Sequence, residues 1–284
     1  MIRFVAALVA FCAAAAVHAQ TVEGVLKKIR DGKSVTIAYR TDALPFSYVG
    51  NDKQPAGYTI ELCKRVVASM EEQLKVKPIA IKWVAATSQN RMELVQKRQV
   101  DMECGSTTAT LSRMAIVDFS NPVFVDTTGL LVTNTSGAKD LGGLAGKRIA
   151  VVSGTSNHKA VDQALKKTGM KATVVAVKTR DEGIAALEGG KADAFASDKI
   201  LLLGLADKVK DATRYTLLED NLSFEPYGIA LPRGESDLRL AVNRGLAGIF
   251  AGDEIVKIFR GAFGAEAVPT PILLVMYGMG SLPE

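Results

Sequence analysis

Residues 101–122, DMECGSTTATLSRMAIVDFSNP, are the most informative stretch of this 284-residue chain. Between Asp101 and Arg113 they gather one Gly, five hydroxyl side chains and one Arg, and then the run turns apolar. A short strand ending in such a run displays hydrogen-bond donors around one fixed positive charge. A carboxylate needs partners of that kind. A guanidinium fork gives it two parallel charge-assisted bonds, and hydroxyl or backbone N–H groups fill the remaining lone pairs. The strand itself is expected over residues 100–103, with a short helical turn over 112–116.

Working outward, the pattern alternates. Residues 34–39 (SVTIAY), 78–84, 147–153 (KRIAVVS), 172–177, 192–196 and 228–231 read as strands. Helical spacing is found over 58–73, 89–97, 157–167, 181–188, 199–208, 236–251 and 253–259, with Gly169 as a natural C-terminal cap. Residues 46–57 suggest a hairpin-like loop turning at Gly50-Asn51-Asp52, and 124–132 an extended segment. This alternation predicts an α/β architecture with largely parallel sheets. Ligands then lie beyond the carboxyl ends of the strands. One phrase is also spoken twice. RMELVQKRQVDMECGS from Arg91 and DEGIAALEGGKADAFASD from Asp181 both read helix, turn, Val or Ala, Asp, short strand. The echo suggests two lobes of similar plan, although helix-turn-strand units resemble one another in any α/β protein.

The first residues point to export. Arg3 is followed by an apolar run from Phe4 to Ala16, and Val17-His18-Ala19 fits a small-x-small cleavage site. A signal peptide over residues 1–19 is therefore expected, with the product in the periplasm. The run is too short to span a bilayer, and Phe11 before Cys12 is too bulky for a lipoprotein site. Cleavage would leave 265 of the 284 residues and lower the net charge from +5 to +4 by the loss of Arg3. That length suffices for one large domain or two lobes. Basic and acidic residues are interspersed, so no nucleic-acid footprint is expected. Cys63 and Cys104 would remain. Cys63 falls on a helical face with Ile60, Val67 and Met70, and Cys104 ends a strand. Two buried free thiols are expected, a disulfide being the alternative that an oxidising compartment permits.

The series PFSY, GYTIEL, DMECGSTTATLSR, VDFSNPVF, GKRIAVVSGTS and ALEGGKADAFASD resembles the type II periplasmic binding proteins for polar amino acids. The resemblance runs over essentially all of the chain after residue 19. Within that family TSQNR (87–91) and ECGSTT (103–108) look like the glutamate/aspartate-binding proteins. The resemblance implies two α/β lobes with an interlobe cleft. Lobe 1 would comprise residues 20–127 and 228–284, lobe 2 residues 128–227, with hinges near 126–130 and 225–228. It implies an acidic amino acid as ligand, an ABC transporter permease as partner, a monomer, and neither cofactor nor metal.

It also assigns roles. Arg113 matches the family arginine that clamps the ligand α-carboxylate, helped by Ser106 and Thr108. Thr155 and Ser156, at a strand-to-helix junction, would add N–H groups from a helix N-terminus. Asp198 matches the acid that pairs with the α-ammonium; capping of the helix from Lys199 is its other reading. Arg40 and Arg91, with Ser88, would hold the side-chain carboxylate, since two guanidiniums in one pocket are costly without an anion between them. Ala43 stands where many relatives place a stacking aromatic. Arg180 stands where close glutamate/aspartate binders carry His. It could reach the ligand, or turn away to Asp181 or Glu182.

Enzymatic readings find less support. Ser156-x-x-Lys159 and Lys167-Thr168-Gly169 lie too close together for a penicillin-binding enzyme. After residue 19 only His158 remains, which leaves no His-based triad and no credible metal cluster. The rival is a periplasmic dehydratase of the same fold acting on a cyclic carboxylic acid, with Glu61 or Glu103 as nominal general acid. A receptor sensor domain is a third class, but the apolar run at 271–277 is too short for a membrane span.

Overall fold

Two five-stranded sheets share one strand order. The computed structural model describes residues 22–205, 209 and 211–284; the expected signal segment at 1–19 lies outside them. The first sheet runs β5 (Ala80–Ala86), β1 (Ser34–Arg40), β6 (Met102–Cys104), β15 (Ala230–Pro232), β7 (Val117–Phe119). The second runs β11 (Thr173–Val177), β10 (Arg148–Val152), β12 (Ala194–Asp198), β9 (Thr128–Thr133), β13 (Tyr215–Leu217). In each, the first three strands are parallel, the fourth pairs antiparallel with the third, and the fifth pairs antiparallel with the fourth. The echoed phrases account for the match. Helix α3 (Arg91–Gln96) leads into β6, and α6 (Arg180–Glu188) into β12, each filling the third place of its sheet. The chain is thus a two-lobed α/β protein with a cleft between the lobes.

Two strands pass between the sheets and pair antiparallel, β8 (Phe124–Asp126) with β14 (Glu225–Tyr227). An aromatic nest fixes them to lobe 1. Phe124 and Tyr227 stack at 6.0 Å between ring centroids, and Phe46 meets Phe124 edge-on at 4.7 Å. Phe46 comes from the short sheet β2 (Asp42–Ala43), β3 (Ser47–Val49) and β4 (Pro55–Ala56), the hairpin region of the sequence. Ala43 is buried.

The larger core lies under the first sheet. Ile60, Leu62, Val66 and Met70 of α2 (Tyr58–Leu74) are fully buried against α8 (Ser236–Ala251) and the sheet. Each such side chain contributes about 1.5–3 kcal/mol by leaving water. The face recurs every three or four residues, which is why α2 was legible. Other expected elements stand with ends moved by a few residues. The strand expected over 100–103 is Met102–Cys104, the turn over 112–116 is α4 (Leu111–Met114), and the extended 124–132 breaks at Thr127 into β8 and β9. Helix α1 (Gly24–Gly32) and strands β7 and β13 had no expectation. Both strands are three residues long, too short to show a period.

The expectation of free thiols is overturned. Cys63 on α2 and Cys104 at the end of β6 form a disulfide, with Cα atoms 6.5 Å apart. Helix α2 packs across the sheet, so its buried face brings Cys63 over the carboxyl end of β6. The bridge spans a sequence separation of 41 residues. Loop closure of that length is expected to contribute about 4 kcal/mol to stability. Urea unfolding with and without dithiothreitol should therefore show a clearly lower midpoint on reduction. Coincident curves would show that the bridge does not hold the native fold.

Candidate functional site

Each expected site residue sits just beyond the carboxyl end of a parallel strand. Arg40 ends β1, Ser88 and Arg91 follow β5, and Ser106, Thr108 and Arg113 follow β6. From the other lobe, Thr155 and Ser156 follow β10, Arg180 follows β11, and Asp198 ends β12. Similar strand order in two facing lobes makes these ends converge. Eight of the ten are buried, and Arg113 and Ser156 are half-buried.

Four guanidiniums dominate the cleft. Arg40 is wholly buried; its Nη2 donates to Asp42 Oδ1 at 2.5 Å, while Nε and Nη1 have no hydrogen-bond partner. Arg91 Nη1 donates to Thr107 Oγ1 at 2.5 Å and to the Ser106 carbonyl at 3.2 Å, and its Nε is unpartnered. Arg113 Nη1 donates to the Thr108 carbonyl at 2.8 Å. Arg180 opens α6 and turns inward, Nη1 lying 3.3 Å from Asp42 Oδ2 and Nη2 3.9 Å from Asp198 Oδ2. Its Nε is unpartnered. Of its two expected directions, the cleft is the observed one.

Burial, then the charges of Arg180 and Arg91, pushes the Arg40 guanidinium down to about 9. Burial, then Arg113, pushes Arg91 down to about 10. A guanidinium yields its proton with great reluctance, so this pressure amounts to a demand for an anion. The unpartnered donors express the same demand, since a buried N–H without an acceptor costs about 1–3 kcal/mol. Ser88 Oγ and Ser106 Oγ are likewise buried without a partner.

The acids are placed to match. Asp198 is buried and makes no side-chain cap on α7 (Lys199–Gly204). Asp126 caps that helix instead, its Oδ2 accepting from Ile200 N at 3.2 Å. The Asp198 carboxylate therefore stays turned to the cleft. With the Asn157 amide oriented as its neighbours require, Nδ2 donates to Asp198 Oδ2 at 3.2 Å. Burial, then the nearby Glu225, raises the Asp198 carboxyl above its usual range, against the pull of Arg180. Thr155 is taken up with capping, its hydroxyl donating to the Val152 carbonyl and accepting from His158 N. That leaves its backbone N–H, with that of Ser156, at the start of α5 (Ser156–Thr168). The two lobes touch here: Thr108 Oγ1 and Ser156 Oγ are 3.1 Å apart, and Gln89 Nε2 donates to the Lys178 carbonyl at 2.9 Å.

Several residues of the cleft escaped sequence reasoning as binding residues. Glu103 is fully buried among the arginines with both carboxylate oxygens unpartnered. Gly105 leaves it room; a Cβ there would stand 2.4 Å from Glu103 Oε1 and 2.9 Å from Arg40 Cγ. Asp42, Glu225 and Tyr227 were also missed. The one available signal was at Asp42, an acid close in sequence to Arg40 at the end of a parallel strand.

Two lobes joined by crossing strands, with a buried polar cleft between them, define the class: a two-lobed binding protein of the periplasmic type. Residues 35–265 match the family described as bacterial extracellular solute-binding proteins, family 3, and the chain belongs to that family. It is similar to the L-glutamate/L-aspartate-binding protein of Pseudomonas aeruginosa, 34% identical over 256 residues, covering 89% of this chain and 84% of that one. It is also similar to the glutamate/aspartate import solute-binding protein of Escherichia coli strain K12, 29% identical over 234 residues, covering 82% and 78%. Among solved structures it resembles an ABC uptake transporter substrate-binding protein from Streptococcus pneumoniae with bound histidine. There the TM-score is 0.75 at 18% identity, covering 86% of this chain and 98% of that chain, a likeness of fold. The protein is thus an extracytoplasmic amino-acid-binding component of an ABC importer, not an enzyme.

Proposed function

We propose that this protein captures L-glutamate or L-aspartate and delivers it, as a monomer, to its ABC transporter permease. The observation that carries the reading is the set of buried guanidinium N–H groups of Arg40, Arg91 and Arg180 that lack an acceptor within the protein.

In this reading Arg113, Ser106, Thr108 and the Thr155 and Ser156 amides hold the α-carboxylate. Asp198 takes the ammonium. Arg40, Arg91 and Ser88 hold the side-chain carboxylate, and Arg180 completes its shell. The lobes are 20–127 with 228–284, and 128–227. They close by rotation about residues 126–130 and 225–228, a hinge motion of known type. The names of the two curated relatives support the same ligand class.

The test is calorimetric titration of ligand-stripped protein with L-glutamate, L-aspartate and L-glutamine in parallel. Strong heat with the two acids and at least a hundredfold weaker glutamine binding is expected, a gap of about 3 kcal/mol. Equal affinity for all three, or no binding of either acid, would sink the anionic pocket.

A further inference from the structure

Arg40 and Arg180 belong to different lobes, and both are buried. Among the neighbouring charges that act on Arg40, Arg180 weighs most. Bringing the lobes together therefore brings two like charges together in a place with little water. Asp42 stands between them. Its Oδ1 accepts from Arg40 Nη2 at 2.5 Å, and its Oδ2 from Arg180 Nη1 at 3.3 Å. Arg180 Nη1 also reaches the Asp42 carbonyl at 3.5 Å. One carboxylate thus joins the two lobes. Burial opposes its ionisation, but the Arg180 and Arg40 charges win and hold it below the usual carboxylate range.

Position explains why a single residue can do this. Asp42 opens the short β2 after a bend at Thr41, and its carboxylate lies against the guanidinium of Arg40 at the end of β1. Ser47 Oγ accepts from the Arg40 backbone N–H at 2.9 Å and donates back to its carbonyl, which fixes the turn between them. Arg180 arrives at the first position of α6, with Thr179 as cap, so it is held by a helix end and not by a loose loop.

We propose that Asp42 is a specificity-determining residue, an internal counter-ion that lets the lobes close without a ligand side-chain anion. Contacts made only when the lobes meet shift the balance between open and closed forms, and with it every ligand affinity. With Asp42 present, the Arg40–Arg180 repulsion is relieved by the protein itself. Neutral amino acids then keep a share of the affinity. Without Asp42, Glu103 beside Arg40 and Asp198 beside Arg180 remain, but no carboxylate of the protein bridges the two guanidiniums. A ligand carboxylate then has more of the repulsion to relieve, so the protein would discriminate more sharply against neutral side chains. This residue's effect on ligand choice rests on the acidic-ligand reading above; its effect on closure does not.

Asp42→Asn is the test, read in two ways. By calorimetry, the glutamine affinity of D42N should fall at least tenfold more than its glutamate affinity. By small-angle X-ray scattering without ligand, D42N should be more open than the parent chain. Asp42→Glu should keep parent behaviour in both. The double variant D42N/R180Q removes the repulsion from the other side and should return the ligand-free scattering toward the parent; it is read by scattering alone, because Arg180 also faces the ligand side chain. An unchanged glutamate-to-glutamine ratio in D42N, with unchanged scattering, would overturn the proposal. So would a double variant that scatters no differently from an opened D42N, since Asp42 would then not act on Arg180. Opening of D42N that R180Q reverses, in a protein that binds no glutamate, would uphold the counter-ion and overturn the acidic-ligand reading instead.

Discussion

Arg113→Ala is expected to weaken every amino acid that the protein binds, glutamate and glutamine alike, by about a hundredfold to a thousandfold. Arg113 leaves α4, whose N-cap Thr110 accepts from the Arg113 backbone N–H, so the side chain starts from a fixed point. Its Nη1 is tied to the Thr108 carbonyl at 2.8 Å, which orients the fork and leaves further N–H groups for a ligand. Burial lowers the Arg113 guanidinium, and Glu103, Glu225 and Asp198 oppose that shift. Truncating one member of a buried charge pair costs about 2–5 kcal/mol, much of it from the partner left unpaired. The α-carboxylate is common to all amino acids, so the loss should not depend on the side chain. Arg40→Ala gives the contrast: its loss should be far larger for glutamate than for glutamine. Calorimetry of both variants against both ligands decides the matter. A loss confined to glutamate in Arg113→Ala would exchange the roles of the two arginines. Equal losses in Arg40→Ala would remove Arg40 from the side-chain pocket.

The two arginines also mark what sequence could and could not tell. Arg40 was legible from pattern, because it follows the strand SVTIAY and the residue after a parallel strand faces the cleft whatever its neighbours do. Arg113 lies on α4, well past the end of β6, and its role came from the family resemblance. The resemblance likewise nominated Asp198, which stands at the end of the third strand of the second sheet. Arg180 was not legible in this way. Its backbone position followed from the helix start, but a long side chain at a helix N-terminus can turn to its own helix or across the cleft. Only the position of Asp42 on the other lobe decides between them. The disulfide failed for a related reason. Helical period places Cys63 on the buried face of α2, yet nothing in the 41 residues up to Cys104 says which strand end that face covers. Glu103 was misread as a nominal acid for a rival chemistry. It sits inside a ring of arginines that only the folded chain assembles.

The protein is also expected to lose stability as pH rises from about 4 to about 7, and the source is the hinge. The ladder of β8 and β14 sets Asp126 opposite Glu225 on the two strands that join the lobes. Like charges on one rung repel. Asp198 adds a third carboxylate nearby. Burial, and then the Asp198 charge, raises the Asp126 carboxyl to about 7, although the Thr127 and Ile200 N–H groups and the Tyr227 hydroxyl favour its ionised form. An unfolded Asp titrates near 3.9. Between those two values the folded chain holds a proton that the unfolded chain has released. Its stabilising share is therefore complete below the unfolded value and is lost as pH rises through about 7. A rise of that size corresponds to an effect on the order of 4 kcal/mol. Asp198 is raised as well and acts in the same direction, while the depressed carboxyls of Asp42 and Asp193 act only at more acidic pH. Urea midpoints at pH 5, 6, 7 and 8 should fall in sequence for the parent chain. Asp126→Asn keeps the acceptor for Thr127 N and cannot ionise, so its midpoints should fall less steeply, by the share of Asp198 alone, and exceed the parent's at pH 8. A level profile in the parent, or an equal slope in D126N, would show that the hinge acids do not hold this proton. An amino acid's ammonium held by Asp198 would relieve the same repulsion. Saturating glutamate should then flatten the parent's profile, because the ligand would supply the positive charge that the proton supplies in its absence.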